Sequence, residues 1–314
     1  MAYRVPTRSQ SVSSSQPNSL AQKLGGEDNK NAQSSVTCIY QTHIGGYWRN
    51  VTVLWNKNLM NHSLSISVDS VESSNPQTCK IDLKPWHFWA KKGYKTFQVD
   101  GNHLDAYWDL RSAKFAGSPE PNTDFYVALV SEDEVVLLLG DYKKKAYKRT
   151  KSRPALVDAI LFFKKEHVFG KKSFSTRAKF DYRKRDHDIV VESSTSSSSP
   201  RDPEMWISID GIVLIHIKNL QWKFRGNETV LVNKQPVQVF WDVYAWLFCN
   251  PPGSGYGLFI FKPGAIDDAE SDKDEGSSAC TGSSDCSDES RYYSTLSHSK
   301  GSPFCLFLYA WKIE

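Results

Sequence analysis

Apolar and polar residues alternate with a period of two along most of the chain. Leu64, Ile66 and Val68 alternate with two serines and an aspartate, and the pattern recurs between Leu104 and Leu110. Successive side chains of a strand point to opposite faces of a sheet, so this alternation predicts strands that bury one face. The predicted fold class is mostly β, with two related antiparallel β-sandwich or barrel-like halves.

A different spacing occurs between the two predicted halves. Pro154 is a favoured early position of a helix, and Gly170 would end it. The side chains that fall on one face at helical spacing are Leu156, Ala159, Ile160, Phe163 and His167. This spacing predicts a short amphipathic linker helix within residues 151–172. The helix and the basic segment before it would join the halves.

The two halves share short runs of similar sequence in the same order, which predicts an internal duplication. By this alignment, residues 258–261 and 304–311 form a hairpin that corresponds to the hairpin of residues 125–130 and 135–139. The matching runs are Ile66–Asp69 with Ile207–Asp210, Ile81–Lys84 with Ile215–Lys218, Thr96–Val99 with Thr229–Val232, and Tyr107–Leu110 with Phe240–Val243.

Composition places the predicted boundaries. Residues 1–34 are rich in Ser, Gln and Asn, and we predict disorder because they cannot bury enough apolar surface. The first β half covers residues 35–150 and the second covers residues 173–314. Residues 264–303 are acidic and serine-rich, which predicts a disordered, low-complexity insertion in the hairpin of the second half.

The overall composition is that of an ordinary globular chain, with 39% hydrophobic and 24% charged residues. The net charge of +4 is mild, whereas a nucleic-acid-binding protein usually has a stronger and clustered basic excess. Met1 opens a polar segment without the apolar core of a signal peptide, and no apolar run is long enough to span a membrane. We therefore expect a soluble intracellular protein with reduced thiols, located in the cytoplasm and/or the nucleus.

No motif for catalysis, metal binding or cofactor binding stands out. The eight histidines are scattered, without the paired Cys or His neighbours that a zinc site needs. The glycine-rich run from Gly253 to Gly257 precedes a predicted strand, whereas phosphate-binding loops precede helices. We therefore expect no cofactor and no metal, and we interpret the chain as a non-enzymatic binding or interaction protein.

A basic run just before the predicted linker helix is the most notable local feature. Its members are Lys143, Lys144, Lys145, Lys148, Arg149, Lys151 and Arg153. A second basic group between Lys171 and Arg185 would complete a positive collar between the halves. The run suits a nuclear import signal, contact with anionic lipid headgroups, or phosphate contacts to RNA. The structural alternative is a solvated edge whose lysines prevent strand-to-strand aggregation. The expected partners are other proteins, or a lipid headgroup or RNA at this basic linker.

Aromatic residues are enriched, with 10 Trp, 14 Tyr and 16 Phe. They suit half-buried strands, and they also suit a cavity for a small apolar ligand. The residues that would line such a cavity, or fill the core instead, are Trp86, Trp89, Trp108, Trp222 and Trp241. The alternative function is therefore a small apolar-ligand-binding β protein, and a further one is an enzyme acting on a sugar or ester.

Several long runs carry a family resemblance. They are Gly45–Asn50 (GGYWRN), Leu83–Trp89 (LKPWHFW), Trp108–Pro121 (WDLRSAKFAGSPEP), Leu139–Pro154 (LGDYKKKAYKRTKSRP) and Trp222–Trp241. These runs resemble the plant family called domain of unknown function 868, over about residues 33–264 and the final strand. The resemblance implies a plant protein. It implies no reaction, ligand or site residue, so function has to be argued from the residues themselves.

Overall fold

The computed structural model describes residues 34–58, 61–73, 75–83, 88–169, 173–180, 185–194, 203–248, 255–264 and 304–311. Nearly all of the two segments predicted to be disordered, 1–34 and 264–303, lies outside the described residues. Within the part of the chain that is described, no helix is both long and apolar enough to cross a membrane.

The described part of the first half contains strands, one short 3-10 helix and one α-helix. They are β1 (Ser34–Ile44), β2 (Tyr47–Lys57), β3 (His62–Val68), β4 (Gln77–Leu83), the 3-10 helix Phe88–Lys91, β5 (Lys92–Val99), β6 (Asn102–Asp109), β7 (Tyr126–Ser131), β8 (Glu134–Leu139), α1 (Lys143–Thr150) and β9 (Arg153–Pro154).

The remainder begins with a long strand and contains one further helix. The elements are β10 (Ile160–Phe169), β11 (Ser173–Ala178), β12 (His187–Ser193), β13 (Met205–Ile209), β14 (Ile212–Ile217), β15 (Arg225–Val232), β16 (Gln235–Asp242), α2 (Tyr244–Phe248), β17 (Tyr256–Pro263) and β18 (Cys305–Trp311).

These strands form one large sheet and two smaller ones. The central sheet has the order β15-β16-β17-β18-β10-β1-β2-β3-β4, the first small sheet β5-β6-β7-β8-β9, and the second small sheet β11-β12-β13-β14. Neighbouring strands run antiparallel, except for β10 beside β18 and β8 beside β9, which are parallel. The prediction of a mostly β chain with antiparallel sandwich-like halves is confirmed, and the described strands close into no barrel.

Two hydrophobic cores lie between the sheets. In the first half, Val53 and Ile66 of the central sheet pack in the same cluster as Leu104 and Leu129 of the first small sheet. In the second half, Ile189 and Ile207 of the second small sheet share a cluster with β16 and β17 of the central sheet. Alternating apolar side chains therefore face inward from both layers, as expected for packed sheets.

The predicted linker helix is wrong, because residues Ile160–Phe169 form strand β10 at the middle of the central sheet. Its neighbours are β1 and β18, so it is a central strand, and the side chains of Phe163, Lys164 and Glu166 are buried. Because the charged residues Lys164 and Glu166 occupy buried positions, apolar and polar residues do not alternate along this strand. The spacing of a short apolar run also cannot distinguish a strand from a buried helix. The linker between the halves is thus a shared strand.

Helix α1 lies in the basic run itself, one element earlier than predicted. Its residues Lys143–Thr150 are mostly good helix formers, and Lys151 adopts a left-handed conformation that ends the helix. Ala146 is fully buried and packs in one cluster with Tyr126, Ala128 and Val130 of β7. Strand β7 is consequently buried along its whole length, between the first core and α1.

The matched runs of the two halves fall on corresponding strands, as the predicted duplication requires. The Nε1–H group of Trp108 in β6 donates to the carbonyl of Ala90 at 2.8 Å, and that of Trp241 in β16 donates to Lys223 at 3.0 Å. Each indole also needs a glycine on the neighbouring strand. A Cβ atom would lie 2.8 Å from Trp108 if it were added at Gly93, and 2.5 Å from Trp241 at Gly226. Both predicted hairpins are present as β7–β8 and β17–β18.

Candidate functional site

The basic run is displayed on the solvent side of α1. Ala146 anchors the helix to β7, and this places the charged side chains on the opposite side. We define the cationic surface as the exposed residues Lys143, Lys144, Lys145, Lys148, Arg149, Lys151 and Arg153. The structure thus displays all seven residues of the basic run on one short exposed segment.

The charges at the start of α1 oppose the helix dipole. The amino-terminal end of a helix carries partial positive charge, and cations there are unfavourable. Lys143, Lys144 and Lys145 form the first turn, which contains no acidic residue, and Tyr142 at the N-cap makes no capping side-chain hydrogen bond. Lys148 and Arg149 lie in the last turn, where the dipole favours them. The helix dipole accounts for the second group of charges and not for the first.

Few of these cations have partners among the described residues. Arg153 forms an ion pair with Glu134 at 2.7 Å, and the Lys145 ammonium lies 3.4 Å from the ring centroid of Tyr142. Lys143, Lys144 and Lys148 form no ion pair with any described residue. The surface can therefore accept an anion without first breaking salt bridges.

An exposed apolar loop follows the cationic surface. Leu156 is 95% exposed and Val157 is 45% exposed, in the connection between β9 and β10. Sequence reasoning placed Leu156 on the buried face of a helix, and the structure places it in solvent. Leu156 is exposed because residues Ile160–Phe169 form a strand, which leaves Leu156 in the connection before it. No local pattern of apolar residues predicts this.

The second basic group is held by other contacts. Arg177 donates to the Asn122 side chain at 2.9 Å, and Arg185 pairs with Asp210 at 3.1 Å. Lys171, Lys172, Arg183 and Lys184 lie outside the described residues. The predicted positive collar therefore stays a prediction, and the cationic surface of α1 is the part that the structure describes.

The predicted tryptophans divide into three groups. Trp108 and Trp241 are buried, one in each core, and their indole N–H groups are satisfied. Trp222 is 82% exposed in a turn, so its prediction as a core or cavity-lining residue is wrong. Its large size suggested burial, but its neighbours form a turn instead of a strand. Trp86 and the Trp89 side chain lie outside the description.

A buried charged cluster, which sequence reasoning missed, lies where the two halves meet. Lys164 of β10 pairs with Glu166 at 2.7 Å and with Glu120 at 3.4 Å, and it donates to the carbonyl of Arg177 at 3.1 Å. The Thr176 hydroxyl of β11 donates to Glu166 at 2.5 Å. The cluster thus joins the central sheet to the loop between β6 and β7 and to the second small sheet. Its members are far apart in sequence, so no local motif reveals it.

The ionisation of this cluster favours a structural role. Burial disfavours the ammonium of Lys164, but the nearby charges of Glu166 and Glu120 outweigh burial and raise its pKa, so the group stays charged. Burial, together with the charge of Glu120, raises the pKa of the Cys38 thiol, which faces Lys164 on β1. A protonated amine is no base and a neutral thiol is a poor nucleophile. The arrangement therefore suits a structural contact between the sheets better than a catalytic centre.

A polar groove of about 470 Å³ lies on the outer face of the central sheet. Its walls include Asn56, Ser63, Lys80 and Asp82 from β2, β3 and β4. Lys80 and Asp82 are 4.0 Å apart and largely exposed, so water screens their interaction. The groove has the volume for a small molecule, but it lacks the mostly apolar lining expected for the small apolar ligand.

The described residues contain no group of three or more His, Cys, Asp or Glu side chains arranged to hold a metal ion. They do contain two histidine–carboxylate pairs, His187 with Asp210 at 2.8 Å and His216 with Glu204 at 2.6 Å. The His187 ring also stacks on Phe180, and the Asp210 carboxylate accepts from the backbone N–H of Asp188. These contacts tie β12 to the turn between β13 and β14.

Residues 31–312 match the family described as plant protein of unknown function (DUF868). The match covers most of the chain, so the protein belongs to this family, and the resemblance seen in the sequence is confirmed. The comparisons with curated proteins and with solved structures give no match.

Proposed function

We propose that this plant DUF868 protein is a non-enzymatic binding protein that holds an anionic partner on the cationic surface of α1. The observation that carries the proposal is the first turn of the helix. Three lysines stand there against the helix dipole and without a capping side chain. An anion bound at this end would relieve both the dipole repulsion and the repulsion among the lysines.

Repulsion along the helix supports the same proposal. Lys144 and Lys148 are four residues apart, as are Lys145 and Arg149, and like charges at this spacing destabilise a helix. Lysines that prevent aggregation lie on an exposed edge strand of a sheet. Five of the seven charges lie on α1, which packs on the face of a sheet, so protection of an edge does not account for them. Arg153 is the member of the surface that lies on an edge strand, β9.

We place this binding inside the cell, in the cytoplasm and/or the nucleus. Cys38 and Cys79 in the described residues are free thiols, and both are buried. Secreted domains commonly link their cysteines in disulfides, whereas free thiols persist in reducing compartments. This supports the location expected from the sequence.

Binding to defined polyanions tests the proposal. The probes are a single-stranded RNA oligonucleotide, a polyglutamate peptide and vesicles that contain phosphatidylserine. The variant Lys143→Ala/Lys144→Ala/Lys148→Ala removes three exposed cations of α1. Its matched control, Lys218→Ala/Lys223→Ala/Lys234→Ala, removes three exposed lysines elsewhere.

We expect the wild type and the control to bind at least one probe in a salt-sensitive manner, and the α1 variant to bind it at least tenfold more weakly. Equal affinity of the two variants would show that α1 is not the binding surface. Failure of the wild type to bind any of the three probes would reject the proposed function altogether.

A further inference from the structure

We propose that the anionic partner is the surface of a lipid bilayer, and that Leu156 and Val157 insert into it while the cationic surface contacts the headgroups. This inference rests on the proposed function, because it names the partner of the same surface. It adds the apolar loop between β9 and β10, which the proposed function does not use.

The loop has the character of an inserting element. Leu156 is 95% exposed, although the apolar residues of the neighbouring strand β8 are buried or half-buried. Leucine at that exposure gains nothing from the folded protein itself. Transfer of its side chain from water into the hydrocarbon region of a bilayer is favourable, by a free energy that scales with the apolar area removed from water.

The loop and the cations are close enough to contact one bilayer together. Arg153 is three residues before Leu156, and Lys151 is five residues before it, so a fully extended chain would separate Lys151 from Leu156 by at most about 18 Å. Strand β9 pairs with β8, and α1 packs against the same small sheet. Headgroup phosphates and acyl chains lie within a few ångströms of each other in depth, so one docking pose can satisfy both elements.

The alternative anionic partners leave the loop unexplained. Single-stranded RNA is held by phosphate contacts together with bases stacked on aromatic rings. Near the cations, Tyr142 is covered by Lys145, and Tyr147 packs against the cluster under the helix. An aliphatic side chain at the tip of a loop offers no stacking surface. An acidic peptide would use the lysines and leave Leu156 in water.

Acidic neighbours oppose docking and supply an internal check. The exposed residue Asp158 directly follows Val157 in the loop. The turn between β7 and β8 carries Glu132 and Asp133, and the Asp133 carbonyl accepts a hydrogen bond from the backbone N–H of Arg153. These two carboxylates lie beside the proposed contact and repel anionic lipid. Asp133 has a positive φ of 60° that asparagine tolerates, so Asp133→Asn removes the charge with little backbone strain. We expect this variant to bind vesicles more tightly than the wild type, by about fivefold.

Vesicle sedimentation tests the inference. Vesicles of phosphatidylcholine with about one third phosphatidylserine are compared with vesicles of phosphatidylcholine alone. The test variant is Leu156→Ser/Val157→Ser. Its control is Leu231→Ser, which removes an apolar side chain that is 70% exposed on β15. Circular dichroism confirms that each variant is folded.

The wild type and Leu231→Ser are expected to sediment with the phosphatidylserine vesicles. Leu156→Ser/Val157→Ser should bind them about tenfold more weakly, while its elution from a cation-exchange column stays unchanged. Binding of the variant as tight as that of the wild type would overturn insertion of the loop. Binding of the wild type to RNA or polyglutamate but not to the vesicles would overturn the bilayer as partner and leave the proposed function standing.

Discussion

Replacement of Lys164 by methionine should destabilise the fold more than the loss of any surface lysine. The ammonium lies 2.7 Å from Glu166 and 3.4 Å from Glu120, and the side chains of Lys164 and Glu166 are 9% and 4% exposed. Methionine fills a similar volume without the charge. In the variant Lys164→Met, the Glu166 carboxylate would stay buried and would keep its hydrogen bond from the Thr176 hydroxyl.

The magnitude follows from desolvation. Removal of one partner from a buried ion pair commonly costs about 3–5 kcal/mol, because the other charge is left uncompensated. The hydrogen bond from Thr176 compensates part of that charge, so we expect a loss of about 3 kcal/mol in the free energy of unfolding. In the double variant Lys164→Met/Glu166→Leu both buried charges are absent, and the remaining carboxylate of Glu120 is 24% exposed to water. Its stability should return to within about 1 kcal/mol of the wild type.

Urea unfolding measures these differences through the midpoint and the slope of each transition. The control is Lys80→Met on β4, where the lysine is exposed and its carboxylate partner is 4.0 Å away, and it should change stability by less than about 0.5 kcal/mol. If Lys164→Met is as stable as Lys80→Met, the cluster is not desolvated. If the double variant is less stable than Lys164→Met, the two charges do not compensate each other.

Two further predictions concern a core aromatic residue and a turn carboxylate. Trp108→Ala should lower the free energy of unfolding by about 3–5 kcal/mol, because Trp108 is buried. Trp222→Ala should change it by less than about 0.5 kcal/mol, because Trp222 lies in solvent. Equal thermal midpoints of the two variants would contradict this prediction. Hydrogen bonds from the Ser70 hydroxyl and the Val71 N–H group lower the pKa of Asp100 to about 2, below its ordinary value. The ionised carboxylate therefore stabilises the fold above about pH 4, and this stabilisation is lost as the pH falls towards 2. The thermal midpoints of the wild type and Asp100→Asn should therefore differ at pH 6 and converge near pH 2, and a constant difference would show that the carboxylate charge is not responsible.

Local pattern was sufficient for the strands with one buried face. Leu64, Ile66 and Val68 are fully buried on β3, as their alternation indicates, and the hairpin of β17 and β18 follows from the alignment of the halves. Strand β10 could not be recognised in the same way. Two of its three buried positions carry the charged residues Lys164 and Glu166, so its apolar residues do not follow a period of two.

The candidate sites were predictable to different degrees. The residues of the cationic surface are contiguous in sequence, so the charged run could be predicted directly. Helix α1 could not, because its one buried residue, Ala146, forms no apolar stripe at helical spacing. The buried cluster joins Cys38, Glu120, Lys164 and Thr176, which come from four separate segments. Such a cluster depends on the topology of the sheets, and only the structure brings its members together.

Vesicle binding at two salt concentrations tests the central claim most directly. The wild type, the triple variant of Lys143, Lys144 and Lys148, and the control variant of Lys218, Lys223 and Lys234 are each sedimented with phosphatidylserine vesicles at about 0.1 M and about 0.5 M salt. A cationic docking surface on α1 predicts strong binding of the wild type and the control at low salt, loss of that binding at high salt, and weak binding of the α1 variant at both. Vesicle binding of the α1 variant that equals that of the control at low salt would contradict the account.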